Sequence, residues 1–197
     1  MFRNIVLLFP IFIFVVSCTK PTIKKLEPEK FYSKITADKD TLYSINDGQF
    51  EYGSSSGFAN KKGDTIIPIG TFDQCFSDTF ATFAYVFDKK LYGKNMVAIN
   101  RNKEVIFEAF LFDNGPDYLE DGLFRIKRNG KIGYANQAGE IIIEPKYECA
   151  YPFENGKAKV AFDCETIKDD LEHSSWESSN WSFIDKKGDE INWTKKM

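Results

Sequence analysis

Along most of the chain, apolar and polar side chains alternate in short runs that break at Gly, Asn, Asp or Pro. The clearest run is Leu123-Phe124-Arg125-Ile126-Lys127-Arg128, in which Phe124 and Ile126 alternate with Arg125 and Lys127. That period of two predicts a strand with one face buried and the other wet. Asn129-Gly130 follows, a pair suited to a type I′ hairpin because both positions require φ > 0. Lys131 to Asn136 then supplies a second strand, and Ile141-Ile142-Ile143 a third beyond a polar corner at Asn136. One unit is therefore a three-stranded meander, followed by a connecting loop such as Pro145 to Gly156.

The same corner occurs four times. Aligned segments are Gly57-Phe58-Ala59-Asn60-Lys61-Lys62-Gly63-Asp64, Val97-Ala98-Ile99-Asn100-Arg101-Asn102-Lys103-Glu104, Gly133-Tyr134-Ala135-Asn136-Gln137-Ala138-Gly139-Glu140 and Ser182-Phe183-Ile184-Asp185-Lys186-Lys187-Gly188-Asp189. Each ends an apolar stretch with Asn or Asp, places Gly (or Lys103) three residues on, and continues with an acid before further apolar residues. Asn and Asp bond the backbone ahead of a turn, and Gly supplies a positive φ where a side chain would clash. Lys103 at that place calls for a different turn or some strain. A single unit cannot bury its apolar face, so neighbours must stack or share a sheet. The expected fold is all-β: about four tandem antiparallel hairpin or meander repeats in one domain over residues 41–197. The fourth unit is delayed by the acidic, Ser-rich segment Asp163 to Asn180, expected to leave the sheet as a loop on one rim.

The third unit resembles the bacterial WG-repeat family. The residues that carry the resemblance are Gly130-Lys131-Ile132-Gly133-Tyr134-Ala135-Asn136, Gly139, Ile142, Pro145, Tyr147-Glu148, Phe153, Gly156 and Lys157-Ala158-Lys159-Val160. The namesake Trp is Ile132 in this unit. The fourth unit keeps the Trp (Trp181-Ser182-Phe183-Ile184-Asp185) but loses the Gly; the first keeps Gly57-Phe58, Gly63 and Pro68; the second is degenerate. The resemblance is close over residues 121–162, partial over about 48–192, and implies β-hairpin repeats with a binding or structural role. It carries over no catalytic residues.

The N-terminus departs from alternation. After Arg3 comes an unbroken apolar run from Ile5 to Val16, about 18 Å long as a helix and too short for roughly 30 Å of hydrocarbon. A short apolar run behind one cation is the pattern of a signal peptide. Val15-Val16-Ser17-Cys18 resembles a lipobox, which makes residues 1–17 a lipoprotein signal peptide and Cys18 the lipid-bearing first residue of the mature chain. Membrane contact is then expected through two or three acyl chains, enough for stable anchoring. Thr19 after the cysteine, where aspartate is absent, favours the outer membrane or cell surface over the inner membrane. Residues 18–40, with Pro21 and Pro28, read as a solvated tether, in which Glu27 to Lys34 could form a turn or two of helix.

Charge and cysteine content narrow the chemistry. The chain carries 29 acidic and 26 basic residues, with no basic run, which argues against nucleic acid as a partner. Cys75, Cys149 and Cys164 remain beside Cys18. Cys149 and Cys164 could close a fifteen-residue loop in an exported protein, but spacing does not fix the pairing, and buried free thiols are the expected state.

No catalytic constellation emerges, and no cofactor or metal site is expected. His173, the only histidine, stands beside Ser174, but a nucleophile and its base are assembled in space and not by adjacency. A surface-loop histidine is the plainer reading, and a zinc site with Cys164 lacks paired ligands at usual spacings. Asp163, Glu165, Asp169, Asp170 and Glu172 lack the order of a preformed Ca²⁺ loop and read as a solvated face. Asp113-Asn114-Gly115-Pro116-Asp117 reads as a turn, not a ligand set. Asn180-Trp181-Ser182 and Asn192-Trp193-Thr194 match a glycosylation sequon that a bacterial lipoprotein usually ignores. Trp176, Trp181 and Trp193 could form a sugar or peptide platform, or simply pack the last repeat. The functional expectation is a non-catalytic envelope lipoprotein that binds a protein or glycan; the alternative is a structural accessory of an envelope complex.

Overall fold

The structure, a computed structural model, describes residues 40–48, 55–168 and 174–192. The signal peptide, Cys18, nearly all of the tether, Asp169, Asp170, Glu172, His173 and Trp193 lie outside the described residues. Of those described, 56% are in strands and 3% in helix, which makes the fold all-β.

In chain order the strands are β1 (Leu42–Asn46), β2 (Ser56–Ala59), β3 (Thr65–Phe72), β4 (Gln74–Cys75), β5 (Thr79–Phe80), β6 (Ala84–Phe87), β7 (Met96–Ile99), β8 (Val105–Ala109), β9 (Leu111–Phe112), β10 (Gly115–Pro116), β11 (Leu123–Arg128), β12 (Lys131–Asn136), β13 (Ile141–Tyr147), β14 (Cys149–Ala150), β15 (Lys157–Ala161), β16 (Glu165–Lys168), β17 (Ser174–Glu177), β18 (Ser182–Asp185) and β19 (Glu190–Ile191). One helical turn, α1 (Lys89–Tyr92), links β6 to β7 and is capped by the Asp88 carboxylate. Three antiparallel sheets hold the repeats: β3-β2-β1-β5, the seven-stranded β13-β12-β11-β8-β7-β6-β4, and β14-β15-β18-β19. Two further ribbons, β9–β10 and β16–β17, stand outside them.

The four corners are built alike. At each, the side-chain oxygen of Asn60, Asn100, Asn136 or Asp185 accepts from the backbone amides two and four residues on, at 2.8–3.0 Å. The corner residue's own amide donates to the carbonyl four residues on, and its carbonyl accepts from the amide three residues on. In the three Asn corners the side-chain amide also donates to the following acid, Asp64, Glu104 or Glu140; Asp185 has no such proton to give. The third corner position has a positive φ throughout: Gly63 +89°, Lys103 +64°, Gly139 +84° and Gly188 +87°. Lys103 thus adopts the same turn as the glycines, and carries strain instead of changing the geometry.

Beyond the corner, one residue of the third strand bulges in each of the first three units, opposite the pairs Phe58/Ala59, Ala98/Ile99 and Tyr134/Ala135. The first and third units then bend again, because a glycine admits the third strand onto the backbone of the second. A Cβ on Gly57 or Gly133 would lie 2.4 Å from the carbonyl oxygen of Ile67 or Ile143. There β3 and β13, carrying Pro68 and Pro145, shift register, rejoin β2 and β12 at the pairs Ser56–Phe72 and Ile132–Tyr147, and then run on into β4 and β14, which pair in the next sheet. The second unit has Val97 at this place and no proline, so β8 stays straight and pairs with β11. Units two and three therefore share one sheet.

Three apolar clusters knit the units together. Leu42, Phe58, Ile67 and Phe72 of the first unit pack with Val86, Val97, Ile99 and Val105 of the second. Ile132, Tyr134, Ile143 and Tyr147 of the third pack with Phe153, Ala158, Val160 and Ile184 of the fourth. Ala98, Ile106, Phe107, Phe124, Ile126 and Ala135 join units two and three on the other face of the long sheet. Each large side chain buried here is worth about 1.5–3 kcal/mol, and none of the clusters is confined to one unit.

Two expectations need correction. The face carrying Arg125 is not wet: Arg125 is buried, because β11 lies inside a sheet packed on both sides. The segment from Asp163 to Asn180 is not a plain loop but forms the β16–β17 ribbon, with Thr166 paired to Trp176. The Asn129-Gly130 hairpin is as expected, with φ of +52° and +77° between the paired Arg128 and Lys131.

A left-handed conformation costs a non-glycine residue about 1–2 kcal/mol, and glycine gives back about half of that through its freer unfolded chain. Lys103→Gly is therefore expected to stabilise the protein by about 0.5–1 kcal/mol, read as a higher denaturation midpoint, while Lys103→Ala gives no gain. An unchanged midpoint for Lys103→Gly would show that the corner carries no strain.

Candidate functional site

After β8 the second unit inserts the β9–β10 hairpin, turned by Asp113 and Asn114 at φ of +47° and +68°. Its return arm leads to Asp117, whose amide donates to the Phe110 carbonyl at 2.9 Å. Asp117 is then aimed at Arg125 on β11. Its carboxylate accepts from the Arg125 backbone amide at 2.9 Å, from Nε at 2.8 Å and from Nη2 at 2.6 Å. Nη1 reaches the Ala150 carbonyl at 3.3 Å, and the guanidinium lies 4.0 Å from the centre of the Phe110 ring. With side chains 5% and 3% exposed, this is a buried, bidentate, ring-stacked ion pair.

The pair forms the floor of a cleft of about 400 Å³ lined by Phe112, Tyr118, Glu120, Tyr151, Pro152, Phe153 and Glu154. Phe112 and Tyr118 are about half exposed and meet edge-on at 5.8 Å; Tyr151, also exposed, stands in the lining with them. The opposite wall is braced from behind. Tyr134 donates its hydroxyl to the Tyr151 carbonyl at 2.7 Å, and burial pushes that phenol far above its usual pKa, so it stays a donor. Trp176 and Trp181 pack against the Tyr151 ring at 5.4 and 5.6 Å. Trp176 also reaches the core at Phe110, and Lys159 sits 4.2 Å over Trp181. Two of the three tryptophans expected to cluster thus converge on one tyrosine, as a support for the cleft wall.

Elsewhere the candidate residues are placed as follows. Cys149 and Cys164 form a disulfide, Cα atoms 6.1 Å apart, which corrects the expectation of free thiols and removes Cys164 as a zinc ligand. The bond fastens the start of the β16–β17 ribbon to β14. Beside it the Asp163 carboxylate accepts from the Asn180 amide at 2.7 Å and the Ser178 hydroxyl at 2.9 Å, bonds that hold its pKa below the usual range. Cys75 is a free thiol that burial pushes up to about 11, so it is protonated and unreactive at neutral pH. Among the described residues no group of three or more His, Cys, Asp or Glu is placed to hold a metal ion.

Sequence reading missed Asp117 and Arg125. In the sequence Asp117 reads as part of a turn and Arg125 as solvated, and no local signal joins them; the turn motifs Asp121-Gly122 and Asn155-Gly156 do place Glu120 and Glu154 at equivalent points of successive units. Both turns have positive φ at both residues. The Asp121 carboxylate accepts from the Gly156 amide at 2.6 Å, which ties the two turns together.

The repeat can now be compared with known proteins. The family model of the WG containing repeat matches residues 132–163. That stretch runs from Ile132 in β12 through the Asn136 corner, β13, β14 and β15 to Asp163, so the match contains the Gly133 close approach and the wall segment from Tyr151 to Glu154. No curated protein and no solved structure matches the chain.

Removing one partner of a buried ion pair costs about 3–5 kcal/mol, because the other charge is left unsatisfied. Asp117→Ala is expected to lose that much in a denaturant titration, and Asp117→Leu with Arg125→Met to recover most of it; a loss below about 1 kcal/mol for the single variant would contradict the buried pair. Closing a fifteen-residue loop stabilises by about 3 kcal/mol through the unfolded chain. Cys149→Ala with Cys164→Ala should lose that amount and become insensitive to reductant, whereas unchanged stability would show the bond is not formed.

Proposed function

We propose that this protein is a lipid-anchored lipoprotein of the bacterial cell envelope whose β-repeat domain binds a protein or glycan partner and catalyses no reaction. The observation that carries the binding role is the cleft between units three and four, where Phe112, Tyr118 and Tyr151 stay exposed beside a rigid floor. Exposed large apolar side chains gathered in one concave place are the usual mark of an interaction site. The bracing of Tyr151 by Tyr134, Trp176 and Trp181 supports the same reading, since a preorganised wall loses little entropy when a partner docks. The Arg125–Asp117 pair is already satisfied internally and serves this cleft as a floor, with no proton or nucleophile to offer.

The membrane role rests on the sequence. Cys18 stands at the end of the apolar leader and bears the lipid; the tether then lets the domain reach a partner at some distance from the bilayer. Localisation at the outer membrane or cell surface follows from Thr19. Cys18→Ser is expected to abolish incorporation of labelled palmitate and to leave a larger, unprocessed precursor on gels. Continued labelling of that variant would overturn the lipid assignment.

A further inference from the structure

The cleft is made twice over by the repeat. Leu119-Glu120-Asp121-Gly122 closes onto the first strand of the third unit, and Phe153-Glu154-Asn155-Gly156 onto that of the fourth. Glu120 and Glu154 are therefore equivalent residues, delivered to one cleft from successive units and flanking it. Both are exposed, and among the described residues neither carboxylate has a hydrogen bond or ion pair. The other two charged groups that line the cleft, Arg125 and Asp117, neutralise each other in its floor. The cleft thus presents two carboxylates with no bonded partner between aromatic walls, with Lys159 5.7 Å from the Tyr151 ring as the nearby cation.

The surrounding rings already show what such walls accept. Arg125 lies over Phe110 at 4.0 Å and near Phe112 at 5.7 Å, Lys127 at 5.1 Å from Phe110, and Lys159 at 4.2 Å from Trp181. Arg125 and Lys159 again stand at equivalent positions, three residues after the turn glycine, so placing a cation on an aromatic face recurs in both units. Phe112 and Tyr118, half exposed at the mouth, offer further faces.

We infer that the cleft takes a cationic side chain, an arginine of a polypeptide partner, with the guanidinium between Glu120 and Glu154 and its plane against Tyr118 or Tyr151. Arginine suits the site better than a neutral sugar because it uses both features at once: planar stacking on a ring and charge-assisted hydrogen bonds to carboxylates. A sugar would use the rings and bring no charge to the two carboxylates. An anionic partner is disfavoured because the guanidinium of Arg125 is already engaged by Asp117.

The inference rests on the cleft being the binding site, and one experiment separates the two. Full-length protein in detergent micelles is titrated calorimetrically with acetyl-Gly-Arg-Gly-amide, with its Glu and Leu counterparts, and with a neutral N-acetylglucosamine tetrasaccharide. The arginine peptide should bind about 10-fold or more tighter than the leucine peptide and weaken as salt is raised. Glu120→Gln with Glu154→Gln should remove that preference, and Tyr118→Ala should weaken binding about 10-fold; all three positions are exposed, and circular dichroism checks that the fold is kept. Equal binding of the arginine and leucine peptides overturns the inference. Binding of the tetrasaccharide that Tyr118→Ala abolishes, and the paired glutamine variant leaves alone, keeps the cleft as the site and overturns the arginine ligand. No response to any probe overturns both.

Discussion

A side-chain oxygen that accepts two backbone amides is the interaction on which this fold depends. At Asn60, Asn100, Asn136 and Asp185 it reverses the chain between two strands in a fixed geometry, so that the third strand of each unit always returns on the same side. Backbone groups in the turn would otherwise compete for water, and the reversal would have many forms. Because the corner is specified locally, the rest of each unit can diverge. Loops of different lengths, a short helix and two inserted ribbons are accommodated without disturbing the strand order.

What a unit cannot do is close its own core. The three clusters each draw residues from at least two units, and this is what turns a string of meanders into a domain. The decisive choice is made at the residue three before the corner. Glycine there, as at Gly57 and Gly133, lets the third strand press onto its neighbour and hand the chain to a new sheet. Valine there, at Val97, holds the strands apart at ordinary spacing and keeps the sheet continuous. One methyl-bearing side chain thus decides whether successive units stack or fuse.

Much of the fold was legible in the sequence because its signals are short-range. The four Asn or Asp corners, the Asn129-Gly130 hairpin and the all-β class follow from residues a few positions apart. Lys103 was also visible as the odd member, and the structure decided between strain and a different turn. The site was far less legible, because it is built between units. Alternation marks Arg125 as solvated, yet a strand in the middle of a sheet covered on both faces has no wet side, and the charge of a buried cation there is neutralised by Asp117, eight residues earlier in an insertion. The Cys149–Cys164 bond was equally hidden, since its proximity is created by the pairing of β14 with β15.

The continuous sheet through units two and three has a further consequence for motion. Strands β4, β6 to β8 and β11 to β13 share one hydrogen-bonded network with apolar clusters on both faces, so exchange of their amides with solvent requires opening most of the domain at once. The outer sheets each lean on one cluster only and are separated from the long sheet by the bends after Phe72 and Tyr147. They form smaller cooperative blocks whose amides exchange first. The cleft lies across one of these seams, with Arg125 of the long sheet on one side and the Tyr151 to Glu154 segment, between β14 and β15, on the other. A molecule seated there would span the seam and slow the exchange of the whole fourth unit, so occupancy at one edge would be registered as rigidity along the C-terminal half of the chain.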